Sequence, residues 1–179
     1  MFDAFFISLQ CFFLSFGPLG LFIFAIIANA SLILPIPIDA VLFFVARVDF
    51  FGWGIFTPFA MGLLIGLGSA IGEFSGYLLG LAGSKGYESL KKSDVSKLDA
   101  VKEKIANKGI PIIFLGALTP FPFDVIGVAA GLIRYDPKKF FVGAFLGKSV
   151  RYILIALAGY FVISSISAFF GLDATGFVC

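Results

Sequence analysis

Five ionisable residues stand in stretches of sequence too apolar to hydrate them: Asp39, Glu73, Asp124, Lys148 and Arg151. Each would cost about 2.5–3.5 kcal/mol on insertion scales if it faced lipid. Such residues must therefore face one another, backbone donors or water. Two kinds of chemistry follow. A carboxylate in a poorly hydrated interior can take up and release a proton. A lysine or arginine there can hold a phosphate through charge-assisted hydrogen bonds. The bland reading is that the charges only lock helices together, or that Asp39 and Asp124 cap the helices that follow them.

Their spacing is organised. Asp39 closes Pro35-x-Pro37-x-Asp39, and Asp124 closes Pro120-x-Pro122-x-Asp124. Paired prolines remove amide donors and disfavour helix in the residues before them, so Pro35, Pro37, Pro120 and Pro122 are expected to break helices. Downstream of each motif, a charge directly follows a glycine, as Gly72-Glu73 and Gly147-Lys148, and Tyr77 and Tyr152 then fall at one offset. The chain reads as a duplication. Broken helices at matching places in two repeats point to a transporter's binding site. A single proline would merely kink a spanning helix. Lys148 and Arg151 lie three apart, hence on one helix face.

The elements that must position these residues are apolar. Hydrophobic residues make up 60% of the 179 and charged residues 13%, and mean hydropathy is +1.06. A soluble domain carries about 25% charged residues, so the composition is that of a polytopic membrane protein. There is no His, which excludes a His-based triad or His-ligated metal and makes an enzyme unexpected. Cys11 and Cys179 form no metal motif or disulfide framework. No cofactor or metal is expected. Nucleic acid is a poor partner, because the basic run is interleaved with Glu88, Asp94, Asp99 and Glu103. Ala28-Asn29-Ala30 resembles a signal-peptide cleavage site, but no Lys or Arg precedes Arg47.

Gly17-Pro18 interrupts the first apolar run, giving a short leading element and a helix from Pro18 to about Ser31. An apolar run then extends to Ala46, and Arg47 to Gly54 reads as an interfacial loop anchored by Trp53. Thr57–Leu81 is long enough to span. Ser84–Asn107 is polar, with Val95, Leu98, Val101 and Ile105 on one face of a helix capped by Ser93. Ile110–Ile133 holds the second proline motif, and Phe140–Tyr160 spans again. Glu73 precedes Leu81 by the same number of residues as Lys148 follows Phe140, which puts both about 12 Å from one boundary and allows them to pair.

Seven of the 13 Lys and Arg fall between Lys85 and Lys108, and Arg134, Lys138 and Lys139 form a second cluster. Basic loops prefer the cytoplasm. Both clusters lie there only if Ile110–Ile133 enters and leaves on one side. The fold class is then an all-α polytopic membrane protein, an inverted repeat of re-entrant helical hairpin plus transmembrane helix. Residues 1–179 form one transmembrane domain, with 30–83 the first repeat, 84–109 a cytoplasmic polar loop and 110–160 the second repeat. The location is the cell membrane, multi-pass.

The two proline hairpins, the Gly-Glu73-x-x-Gly-Tyr77 helix and the Gly131…Phe140…Gly147 pattern resemble the DedA family, also called the VTT-domain or SNARE-associated Golgi protein family. The likeness runs from about Ala30 to Gly159. It implies two re-entrant hairpins in an inverted repeat. It also implies translocation of polyprenyl-phosphate carriers and maintenance of proton-motive force in prokaryotic members, and phospholipid scrambling in eukaryotic ones. Asp39 matches the family's first-hairpin acid and Glu73 the acid of its Gly-Asp/Glu motif. Ile27 stands where many bacterial members carry another acid. Leu118 and Asp124 stand where they carry two arginines; Arg134, Lys148 and Arg151 are the cations left to replace them.

The expected function is a lipid translocase, flippase or scramblase. Asp39, Glu73 and Asp124 would line a polar path, Lys148 and Arg151 would attract a phosphate, and Arg134 is a further candidate headgroup contact. Expected partners are membrane lipids, anionic or polyprenyl-phosphate, together with protons and a second copy of the chain. One rival is a proton-coupled small-solute transporter using the same carboxylates. The other is a non-transporting scaffold whose lysine-rich loop binds anionic lipid or a partner.

Overall fold

In the computed structural model, residues 2–30, 38–87, 105–120 and 122–170 are described. Among them the chain is all helical. The helices are α1 (Phe2–Ala30), α2 (Ile38–Val45), α3 (Thr57–Tyr87), α4 (Ile110–Leu118), α5 (Phe123–Leu132) and α6 (Pro137–Phe170). Only two are both long and apolar enough to cross a membrane, as Gly54–Ser84 and Pro137–Ser165. They are longer than the expected spans Thr57–Leu81 and Phe140–Tyr160, because helix also takes in Ile55 and Phe56 at the start of the first and Phe161–Ser165 at the end of the second. The arms α2, α4 and α5 have 8, 9 and 10 residues. At 1.5 Å per residue each reaches about half of a 30 Å hydrocarbon layer.

Polarity is inverted relative to a water-soluble protein. Phe16, Leu19, Ile23 and Ile27 lie exposed along α1, and Val142, Leu146, Val150 and Leu154 along α6. Glu73 and Lys148 are buried at 4% and 6% exposure. Apolar surface on this scale needs a cover, and charges retreat inward where that cover is lipid.

The long helices α3 and α6 pack antiparallel, since Gly62 meets Ile153 and Gly66 meets Ser149. The other four helices fill in around this pair by one rule. In each half the first arm packs on that half's own long helix, α1 on α3 and α4 on α6. The second arm crosses to the other, α2 onto α6 and α5 onto α3. Individual contacts repeat as well. Gly68 and Gly72 of α3 abut Phe22 and Ile26 of α1, while Gly143 and Gly147 of α6 abut Ile110 and Phe114 of α4.

Two apolar cores result. One gathers Leu21, Leu42, Met61, Ile65, Tyr152 and Ala156. The other gathers Tyr77, Ile113, Phe123, Ile126, Phe140 and Ala144. Ile105 joins the second core and lies in the helical turn 105–108; the rest of the expected polar helix, from Asp94, lies mostly outside the described residues. The early interruption in the sequence is visible as Gly17, whose φ of 58° and ψ of −149° break α1 directly before Pro18. Only a residue without Cβ takes that conformation cheaply.

Between α2 and α3 the expected aromatic loop forms around Asp49. Its carboxylate accepts from the amides of Trp53 (3.0 Å) and Gly54 (2.8 Å) and from the Thr57 hydroxyl. Trp53 stacks on Phe51 with ring centres 5.1 Å apart. The Thr57 hydroxyl and then the Gly54 amide stabilise the charged form and hold the Asp49 carboxyl below its usual value. Because the folded-state pKa is depressed, the loop's share of stability is fully present above the free carboxylate value of about 3.9 and fades as pH falls through the folded one. Trp53 fluorescence, from the chain's only tryptophan, is expected to change on acidification below that value. Asp49→Asn is expected to show the low-pH spectrum at neutral pH.

Candidate functional site

Thr119 precedes Pro120 and is driven to extended backbone, φ −87° and ψ 160°, which ends α4. Pro120 cannot donate to the Gly116 carbonyl, and the Thr119 hydroxyl makes up for it, donating to Leu115 (3.0 Å) and Gly116 (3.3 Å). In an unbroken helix the Thr119 carbonyl would accept from residue 123. Here it is free of the helix and accepts from Arg151 Nη1 at 2.8 Å. The other guanidinium nitrogen, Nη2, pairs with Asp39 at the start of α2. One arginine on a long helix thus ties the end of α4 to the beginning of α2.

One turn earlier on α6, Lys148 forms an ion pair with Glu73 of α3, Nζ to Oε1 at 2.7 Å. The pair that the spacing allowed is made. Lys148 also donates to Asn29 Oδ1 at 3.0 Å and lies 5.4 Å from the centre of the Phe123 ring. The Asn29 amide donates to Ser69 Oγ at 2.9 Å, and Ser69 donates to the Tyr152 hydroxyl at 3.1 Å. The result is a polar layer between the two apolar cores, built from α1, α3 and α6. It is not fully satisfied: Glu73 Oε2 and Ser149 Oγ are buried without a hydrogen-bond partner.

Asp124 closes the second proline motif as Asp39 closes the first, yet its surroundings differ. It lies in the first turn of α5, and the helix has no side-chain cap, so capping does not account for it. Its backbone rests against Gly76, which stands where the repeat offset of Gly72 to Gly147 would place the mate of Arg151. Asp124 therefore lacks the arginine that Asp39 has, and the charge acting on it is that of Lys148. Pro120 and Pro122 flank the break, whereas Pro35 and Pro37 lie outside the described residues.

Arg134 sits apart from this group. It follows α5 with φ 53°. Its amide donates to Gly131 (3.0 Å) while the Tyr135 amide donates to Ala130 (2.9 Å), which is a Schellman ending with arginine at the position glycine favours. Tyr77 fixes the turn by donating to the Tyr135 carbonyl at 2.7 Å, and the exposed guanidinium reaches Ser84 at 3.4 Å. Arg134→Gly is expected to raise stability by about 1 kcal/mol or less, the left-handed penalty of a Cβ-bearing residue offset by the entropy of glycine. Thermal unfolding in detergent checks it.

Sequence reasoning passed over Asn29, Ser69 and Thr119. Asn29 stood out only as part of a cleavage-like tripeptide. Its signal was a lone amide in an apolar helix, which needs partners within the membrane. Thr119 contributes a backbone oxygen, and no side-chain pattern announces that.

Comparison with known families places this geometry. The VTT domain matches residues 36–161, a range that takes in Asp39, Glu73, Asp124, Lys148 and Arg151. No curated protein and no solved structure matches the chain.

Proposed function

This chain belongs to the VTT-domain family, the domain of DedA and SNARE-associated Golgi proteins, and we propose that it moves lipid across the bilayer as a translocase or scramblase. The observation that carries the reading is Arg151. A single part-exposed guanidinium holds the acid after one proline motif and the carbonyl before the other. Both partners are ones a lipid phosphate could displace, since phosphate accepts the same paired N–H bonds. Lys148 lies one turn away to share the charge. The headgroup would pass along Asp39, Arg151, Lys148, Glu73 and Asp124 while the acyl chains stay in the membrane.

On this reading α1–α2 and α4–α5 are re-entrant hairpins of an inverted repeat. The crossed packing of second arms onto the opposite long helix supports it, as do the arm lengths. The polar loop of Lys85–Lys108 is then cytoplasmic, in a multi-pass protein of the cell membrane. Substrates are phospholipid or polyprenyl phosphate, and the carboxylates give a route for proton coupling. The chemistry is transport and not bond-making.

The experiment is reconstitution of the purified chain in liposomes carrying lipid with a fluorescent headgroup. Dithionite bleaches only the outer leaflet of a sealed vesicle. The expected result is bleaching well beyond half of the signal. Bleaching that stops at half with both phospholipid and polyprenyl phosphate defeats the proposal. Solute-dependent proton flux without lipid movement would instead favour the small-solute transporter.

A further inference from the structure

Away from the charged layer, a groove of about 450 Å³ lies between α3 and α6, lined by Ile71, Phe74, Pro137, Lys138 and Phe141. That volume is in the range of ligand pockets, about 300–1,000 Å³. Four of its five lining residues are apolar, and the fifth is a cation at the rim. Phe74 is held by stacking on Tyr77, 5.1 Å between centres, and Phe141 by stacking on Phe145, 6.5 Å. The walls are thus aromatic faces fixed in place. Behind them the ring contact of Phe74 with Phe140 (6.2 Å) and of Phe140 with Phe123 (5.9 Å) separates the groove from Lys148.

The rim carries both signs, with the cations Lys138 and Lys139 outnumbering the one acid, Asp136. Asp136 is ionised and attracts both lysines, and its Oδ1 accepts the amides of Lys138 and Lys139, both at 2.9 Å, at the start of α6. The Lys138 ammonium makes no salt bridge among the described residues. Arg134, whose guanidinium meets Ser84 near the same end of α3, adds to the positive field. We infer that the groove is a binding site for an anionic phospholipid, with one acyl chain against Phe74 and Phe141 and its phosphate on Lys138. An apolar trough ending in a basic rim between membrane helices matches the chemistry of that ligand. A zwitterionic lipid has no excess charge for Lys138 to favour. The site is separate from the proposed transport path and stands whether or not the chain transports.

The test is native mass spectrometry of the chain released from nanodiscs of equal parts phosphatidylcholine and phosphatidylglycerol. The retained lipid is expected to favour phosphatidylglycerol by about fivefold, the equivalent of about 1 kcal/mol for one lysine at the membrane surface. Lys138→Gln is expected to abolish the preference, and Lys139→Gln, of equal charge change but not lining the groove, to keep it. Lys138 and Lys139 are exposed, so both variants should fold. Phosphatidylglycerol with a photoreactive acyl chain is expected to label Ile71, Phe74 and Phe141. The proposal is overturned by retention at the bulk ratio, by Lys138→Gln behaving as wild type, by equal losses in both variants, or by labelling spread evenly over the exposed faces. A wild-type chain that fails in the dithionite assay but passes here refutes transport alone.

Discussion

Replacing Lys148 by methionine is expected to destabilise the protein by about 3–5 kcal/mol, because it strands Glu73 as an uncompensated buried charge. The two groups meet at 2.7 Å with both side chains under a tenth exposed, so solvent screens the loss very little. Asn29 would also lose the donor to its Oδ1. Glu73→Gln on its own strands the ammonium instead and is expected to cost a similar amount. The double variant Glu73→Gln with Lys148→Met removes both charges and should recover most of the stability, since apolar replacement of a whole buried pair is often near neutral. Denaturant unfolding in detergent of all four proteins completes the cycle. Additive losses would mean that the two groups do not interact.

Gly131→Val gives the second large effect, and it acts through backbone alone. A Cβ at Gly131 would stand 2.6 Å from the Leu81 amide nitrogen and 3.0 Å from the Gly80 carbonyl carbon, and would also meet the Tyr77 carbonyl. Those atoms belong to α3 and cannot rotate away as a side chain does. Overpacking normally costs about 1–3 kcal/mol, and this substitution is expected at or above the top of that range. Gly83→Ala, on the α3 side of the same interface, is the control, since its Cβ would meet only Leu132 Cδ2 at 3.8 Å. Unfolding midpoints of the two variants should differ sharply. A tolerant Gly131 would show that α5 does not lie against α3.

The duplicated pattern was legible because spacing survives where identity does not. Paired prolines and glycine-then-charge dipeptides are local, and each has a local physical consequence. From them followed the broken α4–α5 segment and the Glu73–Lys148 pair, whose depth along two helices could be counted at 1.5 Å per residue. What stayed hidden depends on which helix an arm packs against. Nothing in Asp39 itself says that its partner is Arg151 on α6, because α2 crosses to the opposite long helix and sequence spacing is silent on crossings. The difference between the two proline motifs was hidden for the same reason. Asp39 and Asp124 read alike, but one faces an arginine and the other lies against Gly76. Arg134 shows a third limit: a charge near a helix end looked like ligand chemistry, and its backbone role appears only in the φ angle and the two amide bonds of the turn.

On the proposed reading the Arg151 clasp is what carries lipid movement, and exchanging its charges tests that most directly. Asp39→Arg, Arg151→Asp and the combined exchange would be reconstituted and followed by dithionite bleaching beside the wild type. The predicted outcome is lipid movement in the wild type, none above protein-free vesicles in either single variant, and a substantial share regained in the exchange, which restores opposite charges across the same gap. Single variants that move lipid as fast as the wild type would contradict the account.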